Sequence, residues 1–201
     1  FFLFFSLLIP SSPPPLLSFG DYIVIVEGLH KLSVMMMCDL FDHFGLQNGY
    51  DTDLIRTAIA TNHLWALEVA YPGLLDDFEI PEEAIFIDET VCLYKKLKFT
   101  YDSFTNAERD KLHVIIPNFS MKYDISFQGF NIISERNMVD ISRIMKLLNY
   151  HEDVDLMKEA LTAMTERYSA MLDILGTSCC ENDTTEKFSL EKFCKIILAG
   201  R

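Results

Sequence analysis

Basic residues are scarce in this chain: 17 Lys and Arg face 30 Asp and Glu, a formal net charge of -13. Holding a nucleic-acid backbone needs clustered cations, and the densest group here is Lys95-Lys96 with Lys98. A nucleic-acid role is therefore disfavoured. No Lys or Arg precedes Lys31, so the apolar opening lacks the charged start of a secretory signal. Phe1 to Ile9 is also too short to span a bilayer, and no membrane association is expected. No C-x-x-C occurs among Cys38, Cys92, Cys179, Cys180 and Cys194, which excludes zinc-ribbon and thioredoxin patterns. Their odd number and irregular spacing fit thiols in a reducing, cytoplasmic setting. Cys179-Cys180 is the redox alternative, disfavoured by the strain of a disulfide between neighbours. Nucleophile and phosphate motifs are missing as well: there is no G-x-S-x-G, H-E-x-x-H, P-loop or G-x-G-x-x-G.

What is present is apolar bulk. Of 201 residues, 50% are hydrophobic and 23% charged, which excludes a disordered chain. The length suits one domain that removes roughly 70% of its unfolded surface from water. Residues 1–29 read as an upstream extension, from a misplaced start or a fragment, with a cleaved leader as the alternative. Tyr22 to Val26 is a β-branched run, but no convincing second strand exists to pair with it.

From residue 30 onward the pattern is all-α. Leu32, Met36, Leu40 and Phe44 recur every four residues as one apolar helix face, stopped by Gly45. Asp51 or Thr52 can cap a second helix, and Asn62 a third carrying Trp65 and Leu67 up to Pro72-Gly73. Pro81 with Glu82-Glu83 opens a helix with the stripe Phe86, Leu93, Leu97, Tyr101 and Phe104. Thr105 and Glu108 have capping-box spacing. Residues 114–133 are irregular but strongly apolar, as a packed connection is. Ser134 is read as the cap of a helix bearing Met138, Ile141, Met145 and Leu148. Met157, Leu161, Met164, Tyr168, Met171 and Leu175 keep a seven-residue repeat, a core helix or else the seam of a homodimer through residues 157–175. Ser189, flanked by Phe188 and Phe193, starts the last helix with a hydrophobic staple. About seven helices in one multi-helix bundle are expected.

Several segments match a known family in order and spacing. Lys31-Leu32-Ser33 looks like its usual start. Trp65-Ala66-Leu67-Glu68 leading to Tyr71-Pro72-Gly73 matches its Trp-x-Leu-Glu segment ending in Tyr-Pro-Gly. Phe127-Gln128-Gly129-Phe130 with Glu135, Tyr168 with Met171-Leu172, and Ser189 to Leu198 follow in turn. Over residues 31–201 the chain resembles the YfbU family, small bacterial all-helical proteins of unknown function. The resemblance implies a helical fold and little chemistry, with no cofactor. The family usually reads Phe-x-Gly-Phe-Asp-Gly-Asn-Asn-Glu, whereas Asn131-Ile132-Ile133-Ser134 stands here in place of Asp-Gly-Asn-Asn. A loop that bound a ligand through those polar groups has lost most of them.

Candidate chemistry is thin. Asp39 and His43 are four apart on one helix, a spacing that suits a weak metal or acid–base pair or a surface pair. His63 could act as a general base, with Glu68 orienting it from elsewhere in the fold, since their offset keeps them from touching on one helix. The blander reading gives Glu68 a structural partner, Arg56 or Arg136, and makes Trp65, Tyr71, Pro72 and Gly73 structural anchors. Phe127, Gly129, Phe130, Asn131 and Glu135 form a candidate ligand or partner loop, or a rigid corner that Gly129 lets turn. Paired acids Asp76-Asp77, Glu82-Glu83 and Glu152-Asp153 suit helix starts and solvation. Two functions fit: a binding or regulatory module contacting a protein or small ligand, or a small helical enzyme or metal-dependent hydrolase using His63, Glu68, His43, Asp39 and Glu135.

Overall fold

The computed structural model describes residues 19–46, 49–74, 78–176 and 187–201, without the side chains of residues 19–26. Cys179, Cys180, Asp76 and Asp77 lie outside the described residues. The described chain is all-α: nine helices and no strand, with an isolated bridge between Phe130 and Glu159. It divides into two units, residues 1–52 and 53–201. No described helix is long and apolar enough to cross a membrane.

The first unit is dominated by α1 (Phe19–Phe44). This helix runs without interruption through the boundary expected at residues 29–30, and the β-branched run at 22–26 is helical. Gly45 ends it at φ 60°, with Leu46 N donating to Phe41 O at 3.0 Å. The stripe Leu32, Met36, Leu40 and Phe44 was expected to be a core face. Each of these residues is instead more than half exposed, and it is Cys38 that is buried. With Val34, Met35, Met36 and Met37 in succession, apolar residues reach nearly every direction around the helix. Periodicity then identifies a helix without identifying its inner side.

In the second unit, α2 (Thr52–Thr61) closes through Asn62, whose φ is 60°. Asn62 thus terminates α2 and does not cap α3 (Trp65–Ala70), which has no side-chain cap. The centre is α4 (Glu82–Asp102), preceded by Pro81. Ile87, Val91, Leu93, Tyr94 and Leu97 on α4 are all buried, more than one face of a helix. Helices pack on several sides of it: α7 (Arg136–Leu147) and α8 (Thr165–Asp173) lie against α4, while α9 (Leu190–Ala199) lies against α8 and α5 (Asn106–Ile115). The capping box of Thr105 and Glu108 forms as expected at the start of α5, and Ser189 caps α9 by accepting from Lys192 N. Phe188 and Phe193 are both buried. The connection 114–133 contains one turn of helix, α6 (Met121–Asp124). Short elements of this kind take the count above the expected seven.

Two expected starts are displaced. Ser134 does not cap α7, because Asn131 Oδ1 accepts both its N–H and its hydroxyl at 3.0 Å, leaving Glu135 at the cap position. The seven-residue repeat is not one helix either. Residues 157–164 are irregular, Leu161 is 98% exposed, and α8 covers only Thr165–Asp173. Ala160 N donates to Phe130 O at 3.2 Å, so this segment spends its backbone on the 127–131 corner. Residues 157–175 therefore do not form one continuous helix. Met164 points inward instead, with 6% of its surface exposed.

Leu161→Asp is expected to change urea-unfolding stability by less than about 0.5 kcal/mol, and Met164→Asp to cost about 3 kcal/mol or more. Equal losses from both would contradict the irregular 157–164 segment.

Candidate functional site

The loop of Phe127, Gly129, Phe130, Asn131 and Glu135 is assembled as one corner. Gly129 has φ 77°, and a Cβ built there would fall 1.5 Å from the Lys158 carbonyl oxygen. Only glycine allows both that conformation and that approach. Tyr168 clamps the turn, its hydroxyl donating to Gly129 O at 3.0 Å and accepting from Gln128 N at 3.2 Å. Phe127 stacks on Tyr168 at 5.6 Å, and Phe130 meets it edge-on at 5.5 Å. Burial raises the Tyr94 phenol to about 12 and pushes Tyr168 up in the same direction, so neither hydroxyl serves as an acid or base near neutrality.

Glu135 is the knot of the corner. Oε2 accepts from Asn131 N at 2.8 Å, while Oε1 accepts from Met164 N, Thr165 N and Thr165 Oγ1 at 2.8, 2.7 and 2.5 Å. Burial alone would raise its pKa, but these hydrogen bonds to the charged form outweigh it and hold the carboxyl below 4.5. Fully engaged and ionised, Glu135 acts as a tertiary cap that accepts from the first N–H groups of α8. Asn131 is consumed likewise: Oδ1 accepts from Ile133 N and Ser134 N, and Nδ2 donates to Ala160 O, all at 3.0 Å.

Glu68 closes a second turn. It is buried, and its Oε1 accepts from Gly73 N at 2.6 Å. Gly73 supports this at φ 93°, and Tyr71 N donates to Leu67 O at 2.8 Å. Trp65 lies in the core and Pro72 at the surface. His63 is held by its backbone, N donating to Ala58 O at 2.8 Å. Arg56 reaches Asp53 at 3.4 Å, and the exposed Arg136 lies 3.8 Å from Asp140. In the other unit, Asp39 and His43 are exposed on α1, and no described His, Cys, Asp or Glu joins them as a third metal ligand. Within the second unit the structure gathers the 127–135 set into one corner, while Glu68 holds the turn at Gly73 and His63 precedes α3; Asp39 and His43 belong to α1 of the first unit.

Beside the corner opens a cleft of about 500 Å³, lined by Lys95, Lys98, Lys122 and Lys158 above Tyr94 and Phe127. Asp153 and Asp155 also line it, and Asp153 pairs with Lys95. Lys158 Nζ donates to Phe127 O at 3.0 Å. Its pKa is lowered, first by burial and then by the charge of Lys122. Lys95 and Lys98 stood together in the sequence, but Lys122 and Lys158 join them only through folding. Asp88, Cys92 and His151 also meet, with one ligand atom of each within 4.8 Å of the others. The Asp88–Cys92 spacing on α4 was a legible signal, and His151 was not.

No family model, curated protein or solved structure matches this chain.

Gly129→Ala is expected to cost about 3 kcal/mol or more, a fall of about 10 °C in Tm for a chain of this size. Glu135→Gln is expected to cost about 2 kcal/mol at neutral pH. Because its folded-state pKa is depressed, the Glu135 contribution is complete above 4.5 and is lost as pH falls through the folded value. Wild-type and variant unfolding midpoints should converge in acid, and a gap independent of pH would refute the charged-cap role.

Proposed function

We propose that the chain is a binding module for a small organic anion, held in the cleft between α4 and the 121–127 and 153–158 segments. The observation that carries this reading is the gathering of four lysines into one cleft of a chain whose net charge is -13. Two aspartates line the same cleft, so the lysines outnumber the acids there. A concave, low-dielectric wall focuses such a field.

Lys158 supports the reading further. Its ammonium is half-buried and repelled by Lys122, a costly arrangement that an anion between them relieves. Lysine ammonium groups suit phosphate or carboxylate as point charges. Met121, Ile125, Phe127 and Val154 supply apolar wall, so the favoured ligand carries its charge on an aromatic or aliphatic body. The volume falls within the usual range for small-molecule sites. Binding of this kind needs no acid, base or nucleophile in the lining.

The test is calorimetric titration of the full chain with inorganic phosphate and phenyl phosphate at low salt. Phenyl phosphate is expected to bind saturably and more tightly than phosphate. Lys122→Ala or Lys98→Ala should each weaken it about tenfold, and added salt should weaken it further. Failure of both probes to bind, or unchanged affinity in the double variant, would overturn the proposal.

A further inference from the structure

Asp88 and Cys92 are one helical turn apart on α4, so their side chains leave the same side of the helix. His151 comes from the turn after α7, where Asn149 and His151 both adopt positive φ, 61° and 51°. That conformation is uncommon for residues with a side chain. Its effect here is to swing the imidazole back onto α4, placing Nε2 2.7 Å from Asp88 Oδ1. All three residues are partly buried, accessible to an ion yet drier than the surface.

We infer that Asp88, Cys92 and His151 form a zinc site with three protein ligands, the fourth coordination position being left to water. Carboxylate oxygen, thiolate sulfur and imidazole nitrogen together suit Zn²⁺, a borderline-soft ion, better than Mg²⁺ or Ca²⁺. Tetrahedral Zn²⁺ with bonds of about 2.0–2.1 Å holds its nitrogen and oxygen ligands about 3.3 Å apart. Entry of the ion therefore replaces the hydrogen bond between His151 and Asp88 and opens that pair by about half an ångström. The Cys92 thiol releases its proton to solvent, and His151 offers Nε2 with its proton kept on Nδ1. Three protein ligands and an open position make a catalytic type of zinc site rather than a closed structural one. This inference does not depend on the anion cleft, and each can fail without the other.

The full chain, reduced and stripped with chelator, is titrated with Co²⁺ and then Zn²⁺. One Co²⁺ per chain is expected, with a thiolate-to-cobalt absorption band that Zn²⁺ abolishes, and native mass spectrometry should show one Zn²⁺. Cys92→Ser should remove the band, and Asp88→Asn and His151→Gln should each weaken Co²⁺ binding about tenfold or more. Cys194→Ser should leave it unchanged. Circular dichroism checks that each variant remains helical. Should Cys92→Ser fail to fold, the wild-type chain decides: Zn²⁺ is expected to protect Cys92 from alkylation, read by peptide mass. Absence of stoichiometric binding, a band that survives Cys92→Ser in a folded chain, or Cys92 alkylation indifferent to Zn²⁺ would overturn the site.

Discussion

The close passage of Gly129 beneath the Lys158 carbonyl governs the second unit. There is no room for a Cβ between them, so two stretches of backbone about thirty residues apart lie in contact. Once they do, Ala160 N bonds to Phe130 O, and residues 156–164 cannot also be helical. The start of α8 is then fixed at Thr165, where Glu135 receives its first N–H groups. The same contact sets Lys158 over Phe127 and so completes one wall of the lysine cleft.

The acidic composition finds its use in this architecture. Three buried carboxylates each receive backbone N–H groups. Glu68 takes Gly73 N, Glu135 takes Asn131, Met164 and Thr165, and Asp124 takes Ser120 N together with the Arg201 guanidinium at 2.8 Å. A buried carboxylate that accepts such bonds holds a turn that no secondary structure could satisfy. Glu68 and Glu135 each hold a turn in this way. Local field is decided by placement rather than totals, and a chain of strongly negative charge still presents a cationic cleft.

Much of the helical scaffold was legible in the residues. Thr105 with Glu108, Ser189 and Gly45 signal their helix ends through bonds made within a few positions, and the structure contains those bonds. The 127–135 stretch was also recognisable as one unit, since a glycine between two phenylalanines marks a tight turn. Where local and distant bonds compete, sequence reading failed. Asn131 took Ser134 away from α7, and Asn62 adopted a left-handed turn in place of a cap. The repeat through 157–175 followed real burial at Met164, Tyr168 and Met171, but its first half pairs with a segment that lies far away along the chain.

The sequence by itself determined an all-α chain, most of its helix boundaries and the absence of familiar catalytic motifs. These rest on periodicity and capping, which are short-range and therefore written in neighbouring residues. Tertiary structure alone decided which face of α1 is exposed, that Glu68 and Glu135 hold turns, and that Lys122 and Lys158 share a cleft. It also decided that His151 meets Asp88 and Cys92. The Glu135, Lys122–Lys158 and His151 contacts depend on where the backbone returns after about thirty to sixty residues. That return is set by the summed packing of α4, α7 and α8 and by single contacts such as Gly129 on Lys158, and no local pattern encodes it.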